Sequence, residues 1–194
     1  MPVCRCPSVR QYAQNLRFIT MLYPDHMLTV RLLERDDTVG VLRLNAAVVP
    51  AVFKLDTVEL ARLMAISRLH LAAVQPDGTL AGYVLAFSKE QPYDGDEFIT
   101  LRSLIDGPFV YIDQIVVDER ARGMGIGPKL YRELEARATG LGSTVLCCEV
   151  NTWPPNPASL AFHRRMGFVR IGEMETPDGR SVTLLSRKAD KPAF

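Results

Sequence analysis

The sequence predicts a single, soluble α/β domain, and three observations support this. Its 194 residues are ample for one continuous core. Hydrophobic residues make up 47% and charged residues 23% of the chain, as in ordinary globular proteins. Runs typical of strands alternate with helical patterns, and no apolar run approaches the roughly 20 residues that would span a membrane. The formal net charge of +1 argues against a nucleic-acid-binding domain, which usually carries a strong basic excess.

The first 27 residues differ in composition from the rest. Arg5, Arg10 and Arg17 are accompanied by a single acid, Asp25. This composition mildly resembles a transit peptide, while a short helix and a frayed tail are the alternatives. We therefore predict an N-terminal extension over residues 1–27 and a folded domain from residue 28 onward.

The first half of the domain predicts a strand, two helices and a hairpin. The strand is LTVRLL, and the first helix follows Asp37 and ends before Pro50. The second helix is LDTVELARLMAIS, with its N-cap near Asp56 or Thr57. Two β-rich runs around a Pro-Asp-Gly turn predict the hairpin. Residues 89–107 are polar, acidic and rich in turn formers, and they predict a loop over the sheet edge.

The second half predicts strand, helix, strand, helix and a closing hairpin. The strand FVYIDQIVV leads into a helix on which Ile126, Leu130 and Leu134 form one apolar stripe. A buried strand, STVLCCEV, follows. The next helix, NPASLAFHRRMGF, has Asn156 as its N-cap and Gly167 as its stop. The hairpin joins VRIGEM to SVTLLSRK across TPDGR.

The cysteines predict neither a nucleophile nor a metal site. Cys147 and Cys148 are neighbours in a strand, so their side chains point to opposite faces and pack there. Cys4 and Cys6, with His26 nearby, fall short of the four spaced ligands of a structural zinc site. Free thiols favour a reducing, cytoplasmic setting.

Residues 121–131, ARGMGIGPKLY, form a glycine-rich turn that opens a helix, and such turns bind phosphate through unpaired amides and the helix dipole. The nucleoside-triphosphate loop requires Gly-Lys-Ser/Thr, but Lys129 follows a proline here. The dinucleotide fingerprint requires glycine or alanine where Pro128 stands. An Arg-x-x-Gly-x-Gly pattern from Arg122 to Gly127 remains.

With this pattern the chain resembles the GNAT superfamily, the acetyl-CoA-dependent N-acetyltransferases. Arg122, Gly125 and Gly127 meet the family pattern Arg/Gln-x-x-Gly-x-Gly/Ala. The order of elements fits the family from about residue 28 to residue 188, and the chain also resembles a group of predicted acetyltransferases with a PPNP…FH…MGF segment. The family's next landmark is matched by Asn156, Ser159, Phe162, Gly167 and Phe168.

The resemblance implies a mixed, mostly antiparallel sheet of about six to seven strands, flanked by helices, with splayed central strands that hold coenzyme A. It implies an N-acetyltransferase domain over residues 28–194, acetyl-CoA as co-substrate, no metal, and a homodimer as a candidate assembly. It also implies that amides of the strand before the turn stabilise the oxyanion that develops at the thioester. The cofactor-binding residues implied are Ile115, Val116, Val117, Arg122, Gly123, Met124, Gly125, Ile126, Gly127, Pro128, Asn156 and Ser159.

Acyl transfer to an amine requires a base, because an amine is mostly protonated near pH 7. Glu149 is the first candidate, since relatives that act on protein N-termini carry a glutamate at the corresponding place. Asp113 is the rival, because an acid within an apolar strand is costly unless it is solvated or paired. The sequence leaves both open, and it implies direct attack by the amine without a covalent enzyme intermediate.

A third catalytic candidate is His163, which stands where many family members have a tyrosine that protonates the leaving thiolate. Asn156, Ser159 and His163 share one face of their helix, and Phe162 and Met166 are predicted to form its core side. Histidine, with a pKa of about 6.5, is only partly protonated at pH 7, and solvent can also protonate a thiolate. His163 therefore acts as acid, positions the thioester, or has no role.

The acceptor is predicted to enter between the turn Asn45–Phe53 and the loop 89–107. Acids on that loop would favour a cationic amine: a small molecule, an amino acid or a peptide N-terminus. A non-catalytic acyl-CoA-binding module is the alternative function, and a nicotinamide oxidoreductase is disfavoured by Pro128. The acids of this rim are Asp94, Asp96, Glu97 and Asp106.

Overall fold

A computed structural model describes residues 28–189 of the chain. Seven strands form one sheet. The predicted extension 1–27, with Cys4, Cys6 and His26, lies outside the described residues. The strands are β1 (Thr29–Leu32), β2 (Leu71–Val74), β3 (Leu80–Ser88), β4 (Val110–Val117), β5 (Val145–Trp153), β6 (Val169–Glu175) and β7 (Ser181–Lys188). The helices are α1 (Thr38–Ala46), α2 (Thr57–Ile66), α3 (Asp96–Leu104), α4 (Ile126–Gly140) and α5 (Pro157–Arg165), with two short 3-10 turns at Arg35–Asp37 and Glu119–Ala121.

The strand order is β1-β2-β3-β4-β5-β7-β6, and β4 and β5 are the parallel pair in an otherwise antiparallel sheet. A parallel pair needs a crossover, which α4 supplies. The predicted mixed, mostly antiparallel sheet is therefore confirmed.

The predicted helix ends are also confirmed. The Asp56 side chain accepts a hydrogen bond from the amide of Glu59 at 2.8 Å, which caps α2. The Asn156 side chain accepts one from the amide of Ser159 at 3.2 Å, which caps α5. After α5, Gly167 adopts a positive φ of 84° and ends the helix.

The prediction of a loop over residues 89–107 is wrong for its second half, where α3 forms. Phe98 and Leu101 are three residues apart and both are fully buried. Asp96 and Glu97 in the first turn complement the helix dipole. The many polar residues of this segment hide a helix that needs only a narrow apolar stripe.

Helices cover both faces of the sheet. On one face α4 buries Ile126, Leu130 and Leu134, as predicted, and α5 packs beside it. On the other face α1, α2 and α3 cover a second core. Cys147 and Cys148 are free and lie one in each core, as the alternation of a strand requires. Within residues 28–189 no helix is long and apolar enough to cross a membrane.

The two central strands separate at a β-bulge. β4 and β5 pair only from Val110 with Leu146 to Ile112 with Cys148. On the other side of β4, Ala86 pairs with Ile112 and Leu85 with Gln114, so Asp113 is the extra residue. A bulge bends its strand. Beyond it β4 stays paired with β3 and β5 with β7, which leaves the predicted gap between them.

Candidate functional site

A cavity of about 1150 Å³ occupies the gap between β4 and β5. It is lined from one face of the sheet by the glycine-rich turn and α5, and from the other by the segment after α1 and the start of α3. The cavity therefore runs through the split in the sheet. That shape suits an elongated ligand that enters from one face and meets a second molecule on the other.

The glycine-rich turn is built from left-handed backbone. Gly123 and Gly125 have φ values of +81° and +75°, and Gly125 is the N-cap of α4. Residues other than glycine adopt such φ values only at a cost in free energy. Among the described residues, no backbone carbonyl accepts a hydrogen bond from the amides of residues 125–127. Free amides at a helix N-terminus form a site for phosphate oxygens.

Close packing fixes the distance between this turn and α5. A Cβ on Gly127 would lie 3.0 Å from the ring of Phe162, so α4 and α5 approach as closely as a residue without a side chain permits. All but one of the predicted cofactor-binding residues line the cavity. The exception is Met124, whose side chain is 42% exposed. Those lining it are Ile115, Val116, Val117, Arg122, Gly123, Gly125, Ile126, Gly127, Pro128, Asn156 and Ser159.

The two carboxyl groups predicted as base candidates lie together in the split. They follow the last residue pair that joins β4 to β5, and both line the cavity. Asp113 Oδ1 accepts a hydrogen bond of 2.6 Å from the Tyr93 hydroxyl. Glu149 Oε2 is buried and has no hydrogen-bond partner within the described residues. Burial raises the pKa of Asp113 to about 6 and raises that of Glu149 well above its ordinary value, with the charge of Glu97 adding to both effects.

Three of the four acids predicted for the rim of the loop 89–107 line the cavity. Asp94, Asp96 and Glu97 line the cavity. Asp106 is exposed and is not among the lining residues, because it follows the end of α3. Arg180, on the turn between β6 and β7, bonds to Glu97 at 2.9 Å across the cavity.

The polar lining side chains that the sequence analysis did not predict include Glu59, Tyr93 and Arg180. Glu59 sits in the first turn of α2, where an acid also has an ordinary helix-dipole role. Tyr93 is held by its ring, which stacks on Phe87 with the ring centroids 4.0 Å apart. No local pattern marks any of the three, because each reaches the cavity from a different element.

Buried amides hold the segment after α1 against β4. The Asn45 side-chain amide donates to the Phe53 carbonyl at 2.9 Å, and its oxygen accepts from the amide of Leu55 at 2.9 Å. Gln114 donates to the same Phe53 carbonyl at 3.1 Å and accepts from Tyr83 at 2.8 Å. The predicted acceptor segment is thus tied to the strand that carries Asp113. Its cavity-lining residues are Val48, Ala51, Val52 and Phe53.

His163 is buried, with a residue exposure of 3%. Phe162 and Met166 are half-buried and pack against the core, as predicted. His163 Nδ1 lies 2.9 Å from the Ser159 carbonyl, so this nitrogen carries the hydrogen. Nε2, 2.8 Å from the Tyr131 hydroxyl, then accepts from it. Burial lowers the pKa of His163 and so favours the neutral ring.

The cysteines and the described acids give no sign of other chemistry. Burial raises the pKa of both Cys147 and Cys148, so neither thiol is activated. In the described part of the chain no group of three or more His, Cys, Asp or Glu side chains is placed to hold a metal ion. The cavity therefore has the glycine-rich turn at one end and two buried carboxyl groups in the middle, and Glu149 Oε2 lacks a partner among the described residues.

Comparison with known proteins adds independent evidence. A family model described as the acetyltransferase (GNAT) family matches residues 47–168. Acetyltransferase Atu2258 of Agrobacterium fabrum (strain C58 / ATCC 33970) is 32% identical over 81 residues, which are 41% of this chain and 56% of that protein. The match thus spans only about half the length of that relative.

Solved structures share the fold at low identity. The ribosomal-protein-S18-alanine N-acetyltransferase from Escherichia coli aligns with a TM-score of 0.64 and 18% identity over 86% of this chain and 97% of that one. YncA of Salmonella typhimurium, a putative acetyltransferase with its cofactor acetyl-CoA, aligns with a TM-score of 0.60 and 21% identity over 86% of this chain and 96% of that one. Arylalkylamine N-acetyltransferase 2 from Aedes aegypti aligns with a TM-score of 0.60 and 14% identity over 84% of this chain and 99% of that one.

Proposed function

The chain belongs to the acetyltransferase (GNAT) family, and we propose that it transfers an acetyl group from acetyl-CoA to a primary amine by direct attack. The acetyltransferase domain is proposed to span residues 28–194. The observation that carries the proposal is the buried Oε2 of Glu149, which has no hydrogen-bond partner within residues 28–189 and belongs to a residue that lines the cavity where β4 and β5 separate. A buried carboxyl oxygen without a donor is costly, so this position is explained by a ligand N–H that binds there.

The residues around the turn fit coenzyme A. The free amides of residues 125–127 suit its pyrophosphate, and the left-handed Gly123 and Gly125 keep side chains away from it. Arg122 and Arg165 also line this end and offer positive charge. When bound, acetyl-CoA supplies the thioester carbonyl that the amine attacks. The split between the strands gives the rest of the molecule a path to Glu149.

Glu149 is proposed as the base that takes the proton of the acceptor ammonium. Burial raises its pKa, which makes the carboxylate of Glu149 a stronger base than an exposed one. It also lies on β5 directly after the last pair with β4, where molecules entering from the two faces meet. Asp113 is the neighbouring candidate.

His163 is proposed as a positioning residue, not as an acid. Its Nδ1 hydrogen is used by the Ser159 carbonyl and its Nε2 is used by the Tyr131 hydroxyl. No ring hydrogen remains for a leaving group. The bond to Tyr131 instead joins α5 to α4, which keeps the Phe162 ring against Gly127. The leaving thiolate can take its proton from solvent, since a thiol pKa of about 8.5 favours protonation at pH 7.

The acceptor is proposed to be a cationic amine, as a small molecule or at a peptide N-terminus. Asp94, Asp96 and Glu97 give its end of the cavity negative charge. The similar structures include a ribosomal-protein-S18-alanine N-acetyltransferase and an arylalkylamine N-acetyltransferase. Both sizes of acceptor are therefore compatible with this fold.

The first experiment measures the melting temperature with and without excess acetyl-CoA, with NAD and ATP as controls. At 100 times the dissociation constant a ligand adds about 2.7 kcal/mol to the stability of the native state, a rise of roughly 5–10 °C for a domain of this size. A rise with NAD or ATP alone would overturn the proposal.

Thiol release is then followed on a panel of amines. Glu149→Gln should lower kcat/KM by about 100-fold or more, the usual contribution of a general base. Glu173→Gln is the matched control, because Glu173 is exposed on β6 and away from the cavity. Acetyl-CoA binding without thiol release on any amine would instead support a non-catalytic acyl-CoA-binding module.

A further inference from the structure

Asp113 and Glu149 occupy equivalent positions on the two strands that separate. Ile112 and Cys148 are the last residues paired across β4 and β5, and the two acids follow them directly. Without the bulge, these acids would be the next pair of the parallel ladder. Each acid is thus the first residue of its strand to leave the ladder.

Both side chains lie on the same face of the sheet. Glu149 alternates with Cys148, so it shares the face of Cys147, which packs in the core under α1, α2 and α3. Asp113 accepts its hydrogen bond from Tyr93, whose ring packs against that same core. Two carboxyl groups therefore enter one cavity from adjacent strands, on one side of the sheet.

The other groups around the pair offer it little positive charge. Phenols and further carboxyls dominate, and the guanidinium of Arg180, which lines the cavity, is bonded to Glu97 and Asp178. Two like charges on buried side chains repel each other strongly. The groups that face the pair are Glu59 from α2, Tyr93 from the loop before α3, Glu97 from α3, Tyr111 from β4 and Arg180 from the β6–β7 turn.

We propose that Asp113 and Glu149 act as one proton-sharing pair, in which a single proton is held between the two carboxyls and a second is accepted from the acceptor ammonium. An N–H bond of the ammonium breaks, its electron pair stays on nitrogen as the nucleophilic lone pair, and an O–H bond forms on Glu149 as the proton already held by the pair moves onto Asp113. This inference rests on the proposed function. It makes Asp113 the partner of the base, not an alternative to it.

The geometry gives the two members different tasks. Asp113 Oδ1 already accepts from Tyr93 at 2.6 Å, so this carboxyl is held in place. Glu149 Oε2 has no partner among the described residues and is free to receive a ligand proton. The charge on Asp113 keeps the proton affinity of Glu149 high, because each carboxylate disfavours ionisation of the other.

The test combines Asp113→Asn, Glu149→Gln and the double variant. Asp113→Asn should lower kcat/KM by about 10-fold and move the acidic limb of the pH profile to lower pH, since Glu149 loses a like charge. In the Glu149→Gln background the same change should cost less than about 3-fold, because groups that act as a unit are not additive. Equal losses in both backgrounds, or an unmoved acidic limb, would overturn the pairing.

A second measurement separates this inference from the proposed function. ¹³C NMR of the carboxyl carbons follows Glu149 in the protein without any amine or acetyl-CoA. Asp113→Asn should lower the titration midpoint of Glu149 by about 1 pH unit or more, because Glu149 loses a like charge. Asp106→Asn, which changes an exposed acid outside the cavity, should leave that midpoint unchanged. An unmoved midpoint in Asp113→Asn refutes the pair even if the enzyme acetylates amines; a moved midpoint supports it even if no acceptor is found.

Discussion

Gly125→Ala separates the stability of the glycine-rich turn from its ligand. Gly125 has a φ of +75°, and a Cβ built on it meets no atom within 4 Å. The cost of alanine is therefore purely conformational, about 1–2 kcal/mol for an L-residue in the left-handed region. For a domain of this size each kcal/mol lowers Tm by about 2–4 °C.

A matched control is available in the turn between β2 and β3. Gly78 has a φ of +83° and equally open space around a built Cβ, yet it lies outside the cavity. Gly78→Ala should lower Tm by the same amount as Gly125→Ala. Only Gly125→Ala should weaken acetyl-CoA binding. The alanine backbone relaxes away from the left-handed conformation, and this turns the amides of residues 125–127 away from the position of the pyrophosphate. We expect a loss of about 10-fold or more, or about 1.4 kcal/mol.

Calorimetric titration of both variants with acetyl-CoA, at a temperature where each is fully folded, checks this. If both variants bind as tightly as the unchanged protein, the turn does not hold the pyrophosphate. If both lose affinity equally, the loss follows stability and not the site. Either result would refute the reasoning.

Three further predictions concern the surroundings of the site. Gln114→Leu removes the acceptor of the Tyr83 hydroxyl and a donor to the Phe53 carbonyl. The free energy of unfolding, measured in urea, should fall by about 1–3 kcal/mol. The KM for the amine should rise, and the KM for acetyl-CoA should not. His163→Phe should lose a similar stability while kcat at saturating acetyl-CoA stays within about 3-fold, whereas a 100-fold loss would restore His163 as the acid. Burial raises the pKa of Asp113 from 3.8 to about 6. A proton on Asp113 therefore stabilises the folded protein fully below pH 3.8, and this stabilisation is lost as the pH rises through 6. Asp113→Asn should therefore raise the free energy of unfolding by about 3 kcal/mol at pH 7 and by little at pH 4, measured by urea unfolding at both.

Local chemistry in the sequence was sufficient to predict most of the elements. Asp56 and Asn156 cap the helices they were expected to cap, and the two Pro-Asp-Gly turns form the expected hairpins. The helix over Asp96–Leu104 was missed because its buried stripe rests on Phe98 and Leu101 alone. When most residues of a short segment are polar, composition outweighs so small a periodic signal.

The site was less predictable, because its geometry depends on distant elements. Tyr93 and Arg180 reach the acids of the cavity from loops that carry no motif. The burial of His163 was not predicted, for a similar reason. Its position on α5 follows from helical spacing, but its burial depends on the Tyr131 hydroxyl, which lies 32 residues earlier on another helix. The spacing of residues along one helix does not reveal which side chains of a neighbouring helix pack against it.

The bulge at Asp113 connects these observations. One extra residue in β4 ends the ladder to β5, opens the cavity and brings an acid to the point of separation. The turn that opens α4 lies on one face of the sheet, and the acidic rim lies toward the other. Under the proposed function, a thioester and an amine that enter from opposite faces meet where the strands part, and both carboxyls lie at that place. The same arrangement puts repelling charge inside the fold, so the chemistry of this cavity is obtained at the expense of stability.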